Sequence, residues 1–213
     1  MRVLVFGDSI AYGSWDSRGG WADRLKRCAH SLTLQSDGNP KTQVLNLSVP
    51  GDTSTKILRR LDQEITVRQH PDWQLGLIFA FGTNDSREKN GKPETPLKQF
   101  DQTIEKIIAY VKKYNYPVLF VGPPPLQQPN VVLSSQTYID ERIMEYDAVL
   151  QHISESAEMP YVSTRHIFEQ AGVSELFCFD KLHPNENGHA LIFRQVVPKV
   201  EEMIGLKMPL DLV

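Results

Sequence analysis

The run Leu75-Gly76-Leu77-Ile78-Phe79-Ala80-Phe81-Gly82-Thr83-Asn84-Asp85 decides the fold class. Leu75–Phe81 is the longest strongly apolar stretch in the chain, far short of the ~20 residues that cross a bilayer. Its unbroken apolar character from Leu77 to Phe81 suits a central strand of a parallel sheet, covered on both faces. It then stops at a glycine followed by polar residues. Working outward, the same unit recurs. Strands are expected at Arg2–Phe6, Gln43–Leu47, Leu75–Phe81, Pro117–Val121 and, more weakly, Pro160–Val162. Helices are expected between and after them at about Trp21–Leu34, Ser54–Arg68, Pro96–Tyr114, Gln136–Ser156, Arg165–Ala171 and Asn187–Ile204. In the third of these, Phe100, Ile104, Ile107, Ile108 and Val111 recur at three- and four-residue spacings and mark one apolar face. Alternating strands and helices predict a three-layer α/β/α sandwich around a parallel sheet.

Composition bounds the function classes. At 213 residues the chain suits a single domain, 1–213, large enough to bury a core without disulfides or metals. With 40% hydrophobic and 23% charged residues it has ordinary globular usage. A net charge of -3 gives no basic footprint, so no nucleic-acid partner is expected. The first apolar run, Val3–Phe6, is too short for a signal peptide. Cys28 and Cys178 form neither a CxxC nor a Cys/His metal pattern and read as two free thiols. These readings point to a cytoplasmic protein with no membrane span. The sequence is silent on oligomeric state.

Ligands of such sheets bind at the carboxyl ends of the strands. There the chain places Gly7-Asp8-Ser9, Ser48-Val49-Pro50-Gly51-Asp52-Thr53, Gly82-Thr83-Asn84-Asp85 and Gly122-Pro123-Pro124-Pro125. Ser9 reads either as a nucleophile, which needs a neighbouring base, or as part of a helix N-cap. Among the six histidines, His183 stands apart in Asp180-Lys181-Leu182-His183-Pro184. There Asp180 can orient the imidazole, although Asp-x-x-His is also a common turn. Gly51 offers a backbone N–H and Asn84 a side-chain amide to a developing oxyanion, or else the two mark a turn and a cap.

Taken together and in order, four blocks resemble the SGNH (GDSL-type) hydrolase superfamily: Gly7-Asp8-Ser9-Ile10, Asn46–Ser54, Gly82-Thr83-Asn84-Asp85 and Asp180-Lys181-Leu182-His183-Pro184. The resemblance implies a flavodoxin-like sheet of five parallel strands. It also implies a serine hydrolase that works through an acyl-serine intermediate without cofactor or metal. Ser9 would then be the nucleophile, His183 the base and then acid, and Asp180 the orienting carboxylate. The Ser9 and Gly51 amides and the Asn84 side chain would form the oxyanion hole. Gly7-Asp8-Ser9-Ile10-Ala11 lacks the second glycine of a G-x-S-x-G elbow, which points away from the α/β-hydrolase fold. Gly7-Asp8-Ser9 has no G-x-G-x-x-G, which rules out a dinucleotide-binding oxidoreductase, and a phosphate-binding P-loop is absent too.

The superfamily spans short-chain esterases, lysophospholipases, thioesterases and sugar deacetylases, and a non-catalytic binding protein on the same scaffold is the reading outside the enzyme class. The expected substrate is a small or short-acyl ester. Asp8, Trp15 and Pro123 are the expected substrate neighbours, with Pro123–Pro129 a stiff segment that either walls the cleft or only connects.

Overall fold

The structure, a computed structural model, describes residues 1–210; the last three residues of the expected 1–213 unit lie outside it. In chain order the elements are β1 (Arg2–Gly7), α1 (Ser9–Tyr12), α2 (Gly20–Leu34), β2 (Gln43–Asn46), α3 (Ser54–Thr66), β3 (Leu75–Ala80) and α4 (Thr83–Ser86). Next come β4 (Glu88–Lys89), β5 (Lys92–Pro93), α5 (Leu97–Tyr114), β6 (Val118–Val121), β7 (Asn130–Leu133) and β8 (Gln136–Ile139). The chain continues with α6 (Asp140–Ser156), β9 (Tyr161–Val162), α7 (Thr164–Ala171), a short 3-10 turn at Val173–Glu175, and α8 (Glu186–Ile204).

The main sheet has the order β2-β1-β3-β6-β9 with every pairing parallel. Successive side chains of a strand leave opposite faces, and here both faces are apolar. Val3, Val5, Ile78, Leu119 and Val121 pack with Trp21 and Leu25 of α2 and Ile192 and Val196 of α8. Leu4, Phe6, Leu77, Phe79 and Phe120 pack with Ile57 of α3, Ile104 of α5 and Tyr146 of α6. On this second face Phe6 is in register with Phe79, and Phe79 with Phe120. The three rings stack across the strands with centroids 5.5 Å apart at each step. The fold is the expected three-layer α/β/α sandwich with a flavodoxin-like strand order. Among the described residues no helix is long and apolar enough to cross a membrane.

One expected element is corrected. The helix expected from Gln136 begins at Asp140, and Gln136–Ile139 is instead a strand. Thr137, Tyr138 and Ile139 suit a strand, and they close an antiparallel hairpin with β7 around Ser134-Ser135. Ser134 takes a left-handed φ of 56° in that turn. The hairpin belongs to a second, antiparallel sheet of order β5-β4-β8-β7 that sequence reading missed. Its Val131 and Tyr138 share a small core with Leu126, Ile143 and Leu182. Leu182 immediately precedes His183, so this core ties the second sheet to the loop that carries the histidine.

Candidate active site

β1 delivers Gly7-Asp8-Ser9 to the carboxyl edge of the main sheet. Gly7 is required there: a Cβ would stand 2.5 Å from Ala11 Cβ and 2.7 Å from Ala80 O. Asp8 caps α1, its Oδ1 accepting from the Ile10 N–H at 2.9 Å. Ser9 therefore starts the helix, where its own N–H has no intrahelical acceptor. Burial pushes the Asp8 carboxyl up to about 7, with the charges of Asp85 and Asp52 adding to the effect.

The loop before α8 delivers the histidine. Lys181 adopts a left-handed φ of 61°, folding the chain back so that Asp180 Oδ1 accepts from the N–H groups of Leu182 and His183 at 3.1 and 3.0 Å. Asp180 Oδ2 lies 2.6 Å from His183 Nδ1, and His183 Nε2 lies 2.8 Å from Ser9 Oγ. A serine hydroxyl, an imidazole and a carboxylate from opposite ends of the chain thus form one continuous hydrogen-bonded row. Although burial opposes it, hydrogen bonding to His183 holds the Asp180 carboxyl below its ordinary range. The carboxylate is therefore ionised where it faces the imidazole.

Trp15 adds a fourth group to the row. Its indole N–H donates to Asp180 Oδ2 at 2.9 Å, and its ring meets that of His183 edge-on with centroids 6.1 Å apart. It sits at a left-handed φ of 68°, rare for so bulky a residue. A buried network beneath the loop holds this shape. Asp16 accepts from the N–H groups of Arg18 and Gly20 and pairs with Arg24, both side chains being essentially inaccessible. Trp15 and Phe179, 62% and 83% exposed, stand together at the mouth of the site.

An open cleft of about 1040 Å³ is lined by Ser9, Trp15, Gly51, Asn84 and His183, bringing together five of the expected residues. Gly51 holds a left-handed φ of 83°, available to glycine at little cost. The glycine block and the Asn84 block are tied together, since Asp85 accepts from both the N–H and the hydroxyl of Ser54 at the start of α3. Asp85 is thus a cap for a helix distant in sequence, not for its own segment. Two expected substrate neighbours lie elsewhere. Asp8 is buried under α1, and Pro123 packs behind Gly82, where a Cβ would meet its Cγ at 3.3 Å. Neither faces the open cleft. Arg87 and Tyr138 are among the cleft residues that the sequence does not single out. No motif marks Arg87 in the sequence, and Tyr138 falls within the stretch expected to be helical from Gln136.

A parallel-sheet sandwich that presents a Ser–His–Asp row in a cleft at its carboxyl edge has the architecture of a hydrolase. Residues 5–191 match the GDSL-like Lipase/Acylhydrolase family. The chain belongs to that family and is a carboxylic ester hydrolase. It is 22% identical over 209 residues to the isoamyl acetate-hydrolyzing esterase of Saccharomyces cerevisiae, covering 94% of this chain and 86% of that one. Among solved structures it resembles the lipase/acylhydrolase from Enterococcus faecalis (TM-score 0.72, 23% identity, 94% and 95% of the two chains). It also resembles an acetylxylan esterase from Geobacillus stearothermophilus (TM-score 0.69, 17% identity, 97% and 94%).

Proposed function

We propose that this protein is a serine esterase, one hydrolase domain over residues 1–213, that cleaves small or short-acyl esters through an acyl-serine intermediate. The observation that carries this reading is the unbroken row Ser9 Oγ, His183, Asp180, opening on a cleft that also holds Gly51 and Asn84. As Ser9 Oγ attacks the ester carbonyl carbon, His183 Nε2 takes its proton, and Asp180 stabilises the imidazolium. The carbonyl oxygen becomes an oxyanion that accepts from the Ser9 and Gly51 N–H groups and from the Asn84 amide. His183 then returns the proton to the departing alkoxide, the C–O bond breaks and the acyl group stays on Ser9. Water repeats the sequence in reverse order and frees the acid. These steps use no group beyond the chain and water.

Two relatives named for acetyl esters support a short acyl group. The exposed Trp15–Phe179 pair beside His183 supports a leaving group with an apolar or ring-shaped face at the cleft mouth. The unpaired thiols of Cys28 and Cys178 support a reducing, cytoplasmic setting. The test is hydrolysis of p-nitrophenyl esters from acetyl to palmitoyl, with Ser9→Ala alongside. The reading expects a maximum at acetyl or butyryl, lost in the variant. A maximum at long chains would instead assign a lysophospholipase- or thioesterase-like substrate, and wild-type rates in Ser9→Ala would remove Ser9 from the mechanism.

A further inference from the structure

An amide can stabilise an oxyanion only with its nitrogen end; turned over, it would present lone pairs to a negative charge. Asn84 is therefore useful in one orientation alone, and its surroundings enforce that orientation. Its Nδ2 donates to the carbonyl oxygen of Asp52 at 3.0 Å, and its Oδ1 accepts from Arg87 Nη1 at 3.1 Å. The hydroxyl of Tyr138 lies 3.4 Å from the same Oδ1. A backbone carbonyl can only accept and a guanidinium can only donate. Inverting the amide would set acceptor against acceptor and donor against donor inside a buried pocket.

Arg87 is itself fixed. Its Nη1 also donates to Gln136 Oε1 at 3.2 Å, its Nε donates to Glu94 Oε2 at 3.1 Å, and its side chain is only 9% exposed. Gln136 and Tyr138 come from β8, and Glu94 follows β5, so all three further groups around the guanidinium and the amide oxygen belong to or adjoin the small antiparallel sheet. We propose that Arg87 is a positioning residue that locks the Asn84 amide with its second N–H toward the cleft, and that the small sheet is the brace holding Arg87. A cation bonded to the amide oxygen also polarises the group and strengthens its N–H as a donor. This inference rests on the reading of Asn84 as an oxyanion donor.

A double-mutant cycle on a p-nitrophenyl acetate assay tests it. Asn84→Ala is expected to lower kcat by roughly 10²–10³-fold. Arg87→Gln in the wild-type background is expected to lower kcat by roughly tenfold with KM little changed. In the Asn84→Ala background the same change should cost less than about twofold, because the group it positions is gone. Arg87→Lys keeps a cation beside Glu94 but lacks the fork that reaches both Asn84 and Gln136, so its kcat should fall between wild type and Arg87→Gln. It also serves if Arg87→Gln does not fold. Equal losses in both backgrounds, a change confined to KM, or wild-type kcat in both Arg87 variants would overturn the brace while leaving the oxyanion role of Asn84 standing. Wild-type kcat in Asn84→Ala would overturn that role and the brace with it.

Discussion

Replacing Trp15 by Phe removes one N–H and little else. Phe keeps an aromatic ring against Phe179 and His183, and it meets the same left-handed backbone at residue 15, so the conformational cost is nearly unchanged. What is lost is the 2.9 Å donation to Asp180 Oδ2, the oxygen that also faces His183 Nδ1 at 2.6 Å. A hydrogen bond to a charged group contributes about 1.5–3 kcal/mol when it cannot be replaced. Trp15 is 62% exposed, so water takes over part of the donation. The loss should then shrink to about 0.5–1 kcal/mol, a two- to fivefold fall in kcat. Without that donor Asp180 is held less firmly in line with His183 Nδ1 and stabilises the imidazolium less, which is the source of the fall in kcat. The acidic limb of the rate profile should therefore move down by a few tenths of a pH unit. Steady-state kinetics on p-nitrophenyl acetate from pH 5 to 9 separate the parameters. An unchanged kcat and acidic limb with a several-fold higher KM would refute this reasoning and leave Trp15 as a substrate contact alone.

Three further outcomes are expected. Arg24→Met should lower stability by about 3–5 kcal/mol in urea denaturation, because it strands the buried carboxylate of Asp16; a loss below 1 kcal/mol would contradict the network beneath the Trp15 loop. Asp8→Asn keeps an oxygen for the Ile10 N–H and removes a carboxyl held at about 7. In the wild type the folded state binds the Asp8 proton where the unfolded chain has released it, so stability should fall as pH rises from about 4 to about 7. The variant should gain on the order of 4 kcal/mol over wild type at pH 8 and little at pH 4; Asp85, raised to about 6, leaves it a residual slope, and identical slopes would reject the assignment. The kcat/KM of the wild type should rise with pH as His183 loses its proton, and a flat profile from pH 5 to 8 would rule out its role as base.

The main sheet was legible because its strands are nearly pure apolar runs of strand length that stop at glycine and polar residues, as strands buried on both faces do. Phe6, Phe79 and Phe120 announce the core in this way. The candidate site residues were legible for a different reason: Ser9, Gly51 and Asn84 follow strands in short motifs, and the Asp180–His183 pair forms a short motif in the loop before α8. The second sheet was not. Its strands run two to four residues, too short for a periodic signal, and Gln136–Ile139 merges into the helix that follows. One local signal was available and unused: Asn90-Gly91 joins β4 to β5 with φ of 55° and 75°, the dipeptide favoured in tight hairpins. Arg87 and Tyr138 went unseen because their importance lies in partners distant in sequence. The same holds for the cap that Asp85 gives α3 and for the bond from Trp15, itself expected beside the substrate, to Asp180 165 residues away.

The most direct test of the account is covalent labelling of the nucleophile. After incubation with a fluorophosphonate, intact-mass analysis should find one adduct per chain, and peptide mapping should locate it on Ser9. His183→Ala should abolish the labelling, since no base remains to take the proton. A protein that hydrolyses esters yet shows no adduct, carries it on another residue, or labels equally well without His183 would contradict the assignment of Ser9 and His183 as nucleophile and base.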